Sequence, residues 1–311
     1  MRVLTSLSQV PREPAGRALA LGTFDGVHLG HREVIGSALG RARKRGLVAA
    51  VVTFDPHPLE VLRPDRPPRL LTTIERKIEL VSALGLDELV AIPFTAELSR
   101  QTAEEFCDQV LVATLGARSV SVGANFHFGR NAAGDADLLR SRPEFDTDVI
   151  ELVAHDGESI SSSRIRALVD AGDVAAAARL LGAPYALAGT VKQGDRRGRE
   201  LGMPTANLDV PEQQLLPAPG IYAATAAGES LEGELPAAVS IGVRPTFGGG
   251  ELLVEAHLIG FEGDLYGRRL RLEFLERLRD EERFESAEDL VEQMRKDVAQ
   301  AQAVAATVSR S

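Results

Sequence analysis

The sequence is poor in cysteine and in long apolar runs, and each shortage excludes a class of protein. One cysteine in 311 residues rules out a disulfide framework. That residue, Cys107, lies in a helical pattern and is predicted to be a small buried hydrophobic residue instead of a catalytic thiol. No apolar stretch is long enough to span a bilayer, and residues 1–17 contain no apolar signal region. We therefore expect a cytoplasmic protein without a membrane partner.

Positive charge and phosphate-loop motifs are also scarce. The formal net charge is −10, which argues against a nucleic-acid partner because phosphate backbones bind clustered positive charge. The sequence contains no Gly-Lys-Ser/Thr, so a Walker-type phosphate loop is excluded. A hydrophobic content of 44% is ordinary for a protein with a sizeable core, and 311 residues predict about two domains. No apolar stripe outside the expected core indicates an oligomeric state.

The first half of the chain alternates short apolar runs with helical patterns. Short apolar strands separated by helices are typical of a parallel sheet covered on both faces, so we predict a Rossmann-like α/β domain. The predicted strands are 18–21, 47–54, 89–93, 119–123 and 149–153. The predicted helices are 32–45, 73–84, 103–115, 164–171 and 174–181.

The second half contains strands without intervening helices, which predicts an antiparallel β-barrel. The predicted strands are 185–191, 221–225, 235–241, 252–258 and 270–278. Ser286 with Asp289 resembles a capping box and predicts one closing helix, which we expect to fray from Ala299 onward. Because Gly182 and Pro184 end the preceding helix, the predicted domains are 1–183 and 184–311.

The segment from residue 21 to residue 31, Leu-Gly-Thr-Phe-Asp-Gly-Val-His-Leu-Gly-His, is the most informative of the chain. It joins a predicted strand to a helix start, where unpaired N–H groups and the positive helix end favour a phosphate. His28 and His31 lie one turn apart on the same side of this helix start. Three glycines allow a ligand to approach the backbone: Gly22, Gly26 and Gly30. A turn with two solvated histidines and a metal site are weaker alternatives, the latter because no third ligand lies at a recognisable spacing.

Two further segments of the first half carry polar residues suited to a nucleotide. Asn125 follows the fourth predicted strand and offers both a donor and an acceptor, although an isolated asparagine is more often a turn former. Residues 160–166 read Ile-Ser-Ser-Ser-Arg-Ile-Arg, where hydroxyls at a helix start and two arginines suit a polyphosphate. A serine N-cap with solvated arginines explains that segment equally well.

Residues 21–31 and 160–166 resemble the two signature motifs of the nucleotidyltransferase superfamily, Gly-x-Phe-Asp-Gly-x-His-x-Gly-His and Ile-Ser-Ser-Thr-x-Ile-Arg. The resemblance implies that His28 and His31 bind ATP phosphates while a substrate phosphate attacks the α-phosphorus. It also implies a wider set of ligand-binding residues: Gly22, Phe24, Asp25, Gly30, Asn125, Ser162, Ser163, Arg164 and Arg166. His127 departs from the pattern, because the family usually has arginine or lysine there.

The second half has polar pairs at strand spacing. Thr205 and Asn207 are two apart and share a face in a strand, where their oxygens can hold a Mg²⁺ that also binds waters and phosphates. Glu255 and His257 share a face in the same way, and a carboxylate there can accept a proton from a substrate hydroxyl. A solvated polar strand face is the alternative for both pairs.

Several positions of this half together resemble riboflavin kinase: residues 189–207, 220–222, 240–248, Glu255, 264–267 and 275–281. From about Leu19 to Asp297 the chain resembles the bifunctional bacterial riboflavin kinase/FAD synthetase family, with Ala183 in place of an arginine. The resemblance implies that riboflavin is phosphorylated by ATP to FMN and that FMN is adenylylated to FAD. It implies Glu255 as general base and a Mg²⁺ held by Thr205 and Asn207. The implied ATP- and flavin-binding residues of the kinase site are Gly194, Gly198, Arg199, Gly202 and Pro204.

Two alternatives stay open at this point. In the first, only the kinase works, and the α/β domain is inactive or adenylylates another phosphate; His127 favours it. In the second, the protein is a flavin-binding carrier or regulator without chemistry.

Overall fold

The computed structural model describes residues 1–193, 202–244 and 251–308 and divides into two compact units, Met1–Ser162 and Ser163–Ser311. The first unit is an α/β sheet structure and the second contains a closed barrel, which confirms the predicted fold class. The domain boundary placed after residue 183 stays a prediction.

The first unit is built on a six-stranded sheet. Its strands are β1 (Arg2–Leu4), β2 (Arg17–Leu21), β3 (Val48–Asp55), β4 (Glu88–Pro93), β5 (Ala117–Gly123) and β6 (Asp146–Ile150). All pair in parallel, in the order β1-β4-β3-β2-β5-β6. The carboxyl ends of the strands therefore meet at one edge, which is where ligands bind in open α/β sheets.

Helices connect these strands. They are α1 (Leu29–Arg45), α2 (Pro58–Leu62), α3 (Ile74–Ser82), α4 (Ala103–Glu105), a π-helix that continues it (Phe106–Thr114), and α5 (Ala136–Arg140). A short antiparallel hairpin, β7 (Ala154–His155) and β8 (Glu158–Ser159), follows β6. The sequence analysis did not predict β1, β7 or β8, and β6 begins three residues earlier than the predicted strand at 149–153.

The sheet of the first unit has a hydrophobic core on each face. Alternate residues of β2 point to opposite sides, so Leu19 and Leu21 contribute to one core while Ala18 and Ala20 contribute to the other. The first core contains Cys107, which is fully buried, and burial raises the pKa of its thiol to about 11. The second core is closed by the apolar face of α1: Val34, Ile35, Ala38 and Ala42.

The second unit holds a closed six-stranded barrel. Helices α6 (Ser162–Asp170) and α7 (Val174–Leu181) precede it, and α7 packs against the barrel strands β9 and β14. The strands are β9 (Tyr185–Lys192), β10 (Ala206–Asp209), β11 (Gly220–Ala227), β12 (Leu235–Arg244), β13 (Glu251–Leu258) and β14 (Arg269–Arg279). They pair antiparallel in the order β10-β13-β12-β11-β14-β9.

A long helix, α8 (Ala287–Val308), closes the second unit. Ser286 caps it by accepting the Asp289 backbone N–H at 3.1 Å, as predicted. The expected fraying from residue 299 is wrong, because Ala301 and Ala305 are buried and hold the last turns in place. In the described part of the chain, no helix combines the length and the apolar character that a membrane span needs.

Candidate active sites

A strained loop follows the central strand β2 and leads into α1. Phe24 and Val27 have positive φ angles of 49° and 41°, and Gly26 has a φ of 88°. Positive φ is rare for a β-branched residue and costs free energy wherever it occurs. Such strain persists only where the surroundings fix the backbone, so the contacts of this loop decide its shape.

The carboxylate of Asp25 fixes one side of the loop. Its oxygens accept hydrogen bonds from the backbone N–H of Leu71 and Thr72 and from the Thr72 hydroxyl, at 3.0–3.1 Å. The Gly26 N–H in turn donates to the Thr72 hydroxyl oxygen at 3.1 Å. Asp25 is buried, so these bonds are shielded from water and anchor the loop to the segment before α3.

The two predicted histidines lie together at the start of α1. His28 is the N-cap, and its Nδ1 accepts the His31 backbone N–H at 3.2 Å. The two rings stack with centroids 3.5 Å apart and planes 18° apart, and the Phe24 ring meets His31 edge-on at 5.3 Å. Burial lowers the pKa of His28 to about 4, against a smaller opposing effect of Asp25. His28 is therefore neutral at neutral pH.

Gly22 and Gly30 allow the rings of Phe24 and His28 to lie close to the backbone. A Cβ on Gly22 would lie 3.0 Å from the Phe24 ring. A Cβ on Gly30 would lie 3.2–3.3 Å from the His28 ring, closer than side chains normally pack. A larger residue at either position would displace the adjacent aromatic ring, because the rings cover the backbone there.

Asn125 lies just past the carboxyl end of β5, the strand that pairs with β2. It is exposed, and its backbone carbonyl oxygen lies 3.0 Å from Nδ1 of His127. The sheet thus places Asn125 at the edge where β2 also ends. His127 is exposed in the same loop.

The segment at 160–166 reaches the strained loop through a serine. The Ser162 hydroxyl donates to the Asp25 carbonyl oxygen at 2.9 Å, although the two residues are 137 positions apart. The other predicted residues of this segment follow in α6, Ser163 exposed and the two arginines half-buried: Ser163, Arg164 and Arg166. They belong to the second unit, and their role stays a prediction.

Sequence reasoning missed Lys77, a buried lysine under the strained loop. Its ammonium donates to the Thr23 carbonyl oxygen at 2.7 Å and to the Thr53 hydroxyl at 3.3 Å. The signal was present, because Lys77 is spaced three and four residues from Ile74 and Val81, on the apolar face of α3.

In the barrel, the strands bring the predicted magnesium ligand and the predicted base side by side. Asn207 of β10 is directly opposite Glu255 of β13. Glu255 is in turn opposite Ser240 of β12, and Asn207 is opposite Lys192 of β9. Directly opposed residues project to the same face at about 5 Å between Cβ atoms. Since Val254 and Ala256 are buried in the barrel, Glu255 projects from its outer surface.

Thr205 lies one residue before β10, so it is not part of the strand that the two-residue spacing assumed. The backbone beside it is held from β13, because Nδ1 of His257 lies 2.9 Å from the Pro204 carbonyl oxygen. Gly202 occupies an exposed turn with a φ of 75°. Three predicted residues of the kinase site lie outside the described residues: Gly194, Gly198 and Arg199.

Two family models match the chain, one on each side of residue 170. Residues 10–164 match the FAD synthetase family, and residues 181–305 match the riboflavin kinase family. The matches cover the strained loop with its histidines and the barrel with Asn207 and Glu255.

Curated relatives match over nearly the full length. A bifunctional riboflavin kinase/FMN adenylyltransferase from Pseudomonas fluorescens is 36% identical over 98% of this chain and 98% of its own. The protein of that name from Bacillus subtilis is 36% identical over 93% of this chain and 92% of its own.

A solved structure also shares the fold. It is described as a macrolide-efflux protein from Streptococcus pneumoniae and matches with a TM-score of 0.87 at 29% identity, covering 96% of this chain and 98% of that one. The extent of these matches, with both family models in tandem, leads to one conclusion: the chain belongs to the family of bifunctional riboflavin kinase/FMN adenylyltransferases.

Proposed function

We propose that this protein makes FAD from riboflavin in two ATP-dependent steps. The barrel phosphorylates riboflavin to FMN, and the α/β domain adenylylates FMN with release of pyrophosphate. The observation that carries this proposal is the tandem match to both enzyme families within one chain that covers its relatives almost end to end. A kinase alone would leave the FAD synthetase match without its activity, and a non-catalytic carrier would leave both matches without theirs.

In the adenylyl transfer, an oxygen of the FMN phosphate attacks the α-phosphorus of ATP. The bond from that phosphorus to the β-bridging oxygen breaks, and pyrophosphate leaves. His28 and His31 lie at the amino end of α1, where the helix dipole favours the negative charge of the triphosphate. Burial lowers the pKa of His28 in the unliganded protein to about 4, so its neutral ring offers the triphosphate a hydrogen-bonding group. Asn125 and Ser162 are the further groups we assign to this site.

In the kinase step, the ribityl hydroxyl of riboflavin attacks the γ-phosphorus of ATP and ADP leaves. The hydroxyl proton passes to the Glu255 carboxylate, the only acidic residue of the row Lys192-Asn207-Glu255-Ser240 on neighbouring strands. The barrel fixes Glu255 on a paired strand, so its position is set before substrate binds.

The residues beside Glu255 fit a magnesium ion. Asn207 offers a neutral oxygen directly opposite the Glu255 carboxylate, and Thr205 offers a second one two residues earlier in the chain. Mg²⁺ prefers oxygen ligands while keeping waters and phosphates in its shell. We therefore assign Mg²⁺ to Thr205 and Asn207. When bound, it would neutralise charge on the ATP phosphates.

A product-resolved turnover assay tests the proposal. The purified protein is incubated with ATP and Mg²⁺ together with riboflavin, with FMN, or without flavin, and FMN, FAD, ADP and pyrophosphate are separated by chromatography. We expect ADP with FMN from riboflavin and pyrophosphate with FAD from FMN, and neither without flavin. FMN without FAD would leave a kinase alone, and no flavin-dependent product would leave a carrier; either result contradicts the proposal.

A further inference from the structure

Lys77 is a buried lysine that the proposed chemistry does not use. Its side chain is only 6% exposed, and burial lowers its pKa against the opposing effects of the carboxylates of Asp25, Asp55 and Glu60. Burying an ammonium group is costly unless it is paired and hydrogen-bonded. The contacts that compensate for this burial therefore indicate what Lys77 does under the strained loop.

The ammonium and a hydroxyl hold the same carbonyl oxygen. Thr23 accepts from Lys77 at 2.7 Å and from the Thr53 hydroxyl at 2.9 Å. Lys77 also donates to that hydroxyl at 3.3 Å, so the three groups form a closed triangle. Two neighbouring elements, α3 and the end of β3, thus meet on one backbone atom of the loop.

The held atom is next to the strained part of the loop. Thr23 immediately precedes Phe24, whose φ of 49° needs a backbone fixed from outside. The Phe24 ring in turn meets the His31 ring edge-on, with centroids 5.3 Å apart. A shift of the Thr23 carbonyl would therefore move Phe24 and with it the surface against which His31 packs.

We propose that Lys77 is a positioning residue for adenylyl transfer, which acts on His31 through Thr23 and Phe24. This inference rests on the proposed function of the first unit. Lys77 itself does not touch the substrate; its ammonium fixes the loop that places the histidine pair. Amide hydrogen exchange reports on the loop, and steady-state kinetics reports on the reaction.

The first measurement is amide hydrogen exchange, which needs no activity. Lys77→Met keeps the length of the side chain but removes the charge and the donors. We expect exchange of the Gly26 and Val27 amides to rise at least about tenfold while the amides of Leu19 and Val51 in the sheet keep parental rates. A uniform rise through the sheet would mean a structural role only, and unchanged loop amides would also overturn the proposal.

The second measurement is steady-state kinetics. In Lys77→Met we expect the kcat for FAD formation from FMN to fall at least about tenfold, with the KM for ATP within about threefold and riboflavin phosphorylation unchanged. Lys44→Met, an exposed lysine of α1, is the matched control and keeps both activities and all exchange rates. Parental kcat in Lys77→Met would contradict the proposal.

A second variant guards against misfolding of the first. Thr53→Val removes the other donor to Thr23 at nearly constant volume and is expected to change the same amides and the same kcat, but less. If Lys77→Met does not fold, Thr53→Val decides. Unchanged loop amides together with an unchanged kcat for FAD formation in Thr53→Val would then overturn the proposal. If the parental protein forms no FAD, the proposed function fails, and the exchange measurement alone decides whether Lys77 fixes the loop.

Discussion

At the scale of single residues, the burial of His28 couples the candidate site to stability. The residue is 5% exposed and its ring accepts a hydrogen bond through Nδ1, so the structure requires the neutral form. Burial lowers its pKa from 6.5 to about 4. Between those two values the unfolded chain binds a proton that the folded chain does not, so stability falls as pH falls through this range.

We expect this loss to amount to about 2 kcal/mol at pH 5, since each unit of pKa difference corresponds to about 1.4 kcal/mol. The contribution of neutral His28 to the free energy of unfolding is fully present above pH 6.5. Urea unfolding at pH 7.5 and at pH 5 measures it, with His28→Asn as the reference because asparagine retains the N-cap. The parental protein should lose about 2 kcal/mol more than the variant; equal losses would mean that His28 is not buried in its neutral form.

Among the elements, helix α1 contains three glycines, and substitution of two of them by alanine should have opposite effects. Gly30→Ala places a Cβ 3.2–3.3 Å from the His28 ring, whereas Gly36 has nothing within 4 Å of its added Cβ. We expect Gly30→Ala to lower FAD formation about threefold to tenfold, because it displaces the ring by a few tenths of an ångström. Gly36→Ala should keep the rate and stabilise the helix by about 0.5–1 kcal/mol.

Both variants are assayed for FAD formation from FMN and for thermal unfolding. Riboflavin phosphorylation in the same samples reports that the second unit is intact. A parental rate in Gly30→Ala would contradict the close approach of ring and backbone.

A part-buried ion pair joins the closing helix α8 to the barrel strand β14. The Asp297 carboxylate accepts from the Arg279 guanidinium of β14 at 2.7 and 2.9 Å and from Gln293 at 2.9 Å. Asp297→Ala removes these charge-assisted hydrogen bonds and leaves Arg279 the longer contact with Glu282 at 3.9 Å, so it should destabilise the second unit by about 2 kcal/mol.

The matched control is Lys296→Ala, one residue away. Lys296 pairs with Glu292 at 2.8 Å, but both side chains are more than 60% exposed, and such pairs contribute little. Urea unfolding, followed by the circular dichroism signal of the helices, should show a lower midpoint for Asp297→Ala and an unchanged midpoint for Lys296→Ala. Equal midpoints for the two variants would mean that the ion pair between Asp297 and Arg279 does not stabilise the second unit.

Local patterns predicted most of the elements because each buries a periodic apolar face. The exceptions have physical reasons. The strand β6 reads Asp-Thr-Asp-Val-Ile at the sheet edge, so its half-buried positions carry no apolar run and the prediction slipped to the following residues. The short strand β10 pairs on both sides, and no pattern within its four residues predicts that pairing.

For the whole molecule, the resemblance of motifs predicted the two reactions. It did not predict the tertiary contacts that fix the functional side chains in place. His28 and His31 were predicted from their spacing. The partners of the loop come from segments 30 to 54 residues away: Thr53, Thr72 and Lys77. Their contacts depend on the packing of β3 and α3, which a motif does not contain.

The proposed function requires two independent active sites in one chain. A pair of variants tests this requirement: Glu255→Gln and His31→Ala are each assayed for FMN formation from riboflavin and for FAD formation from FMN. We expect Glu255→Gln to lose FMN formation at least about a hundredfold and to keep FAD formation. His31→Ala should show the reverse. Loss of both activities in either variant, or of neither, would contradict two independent sites.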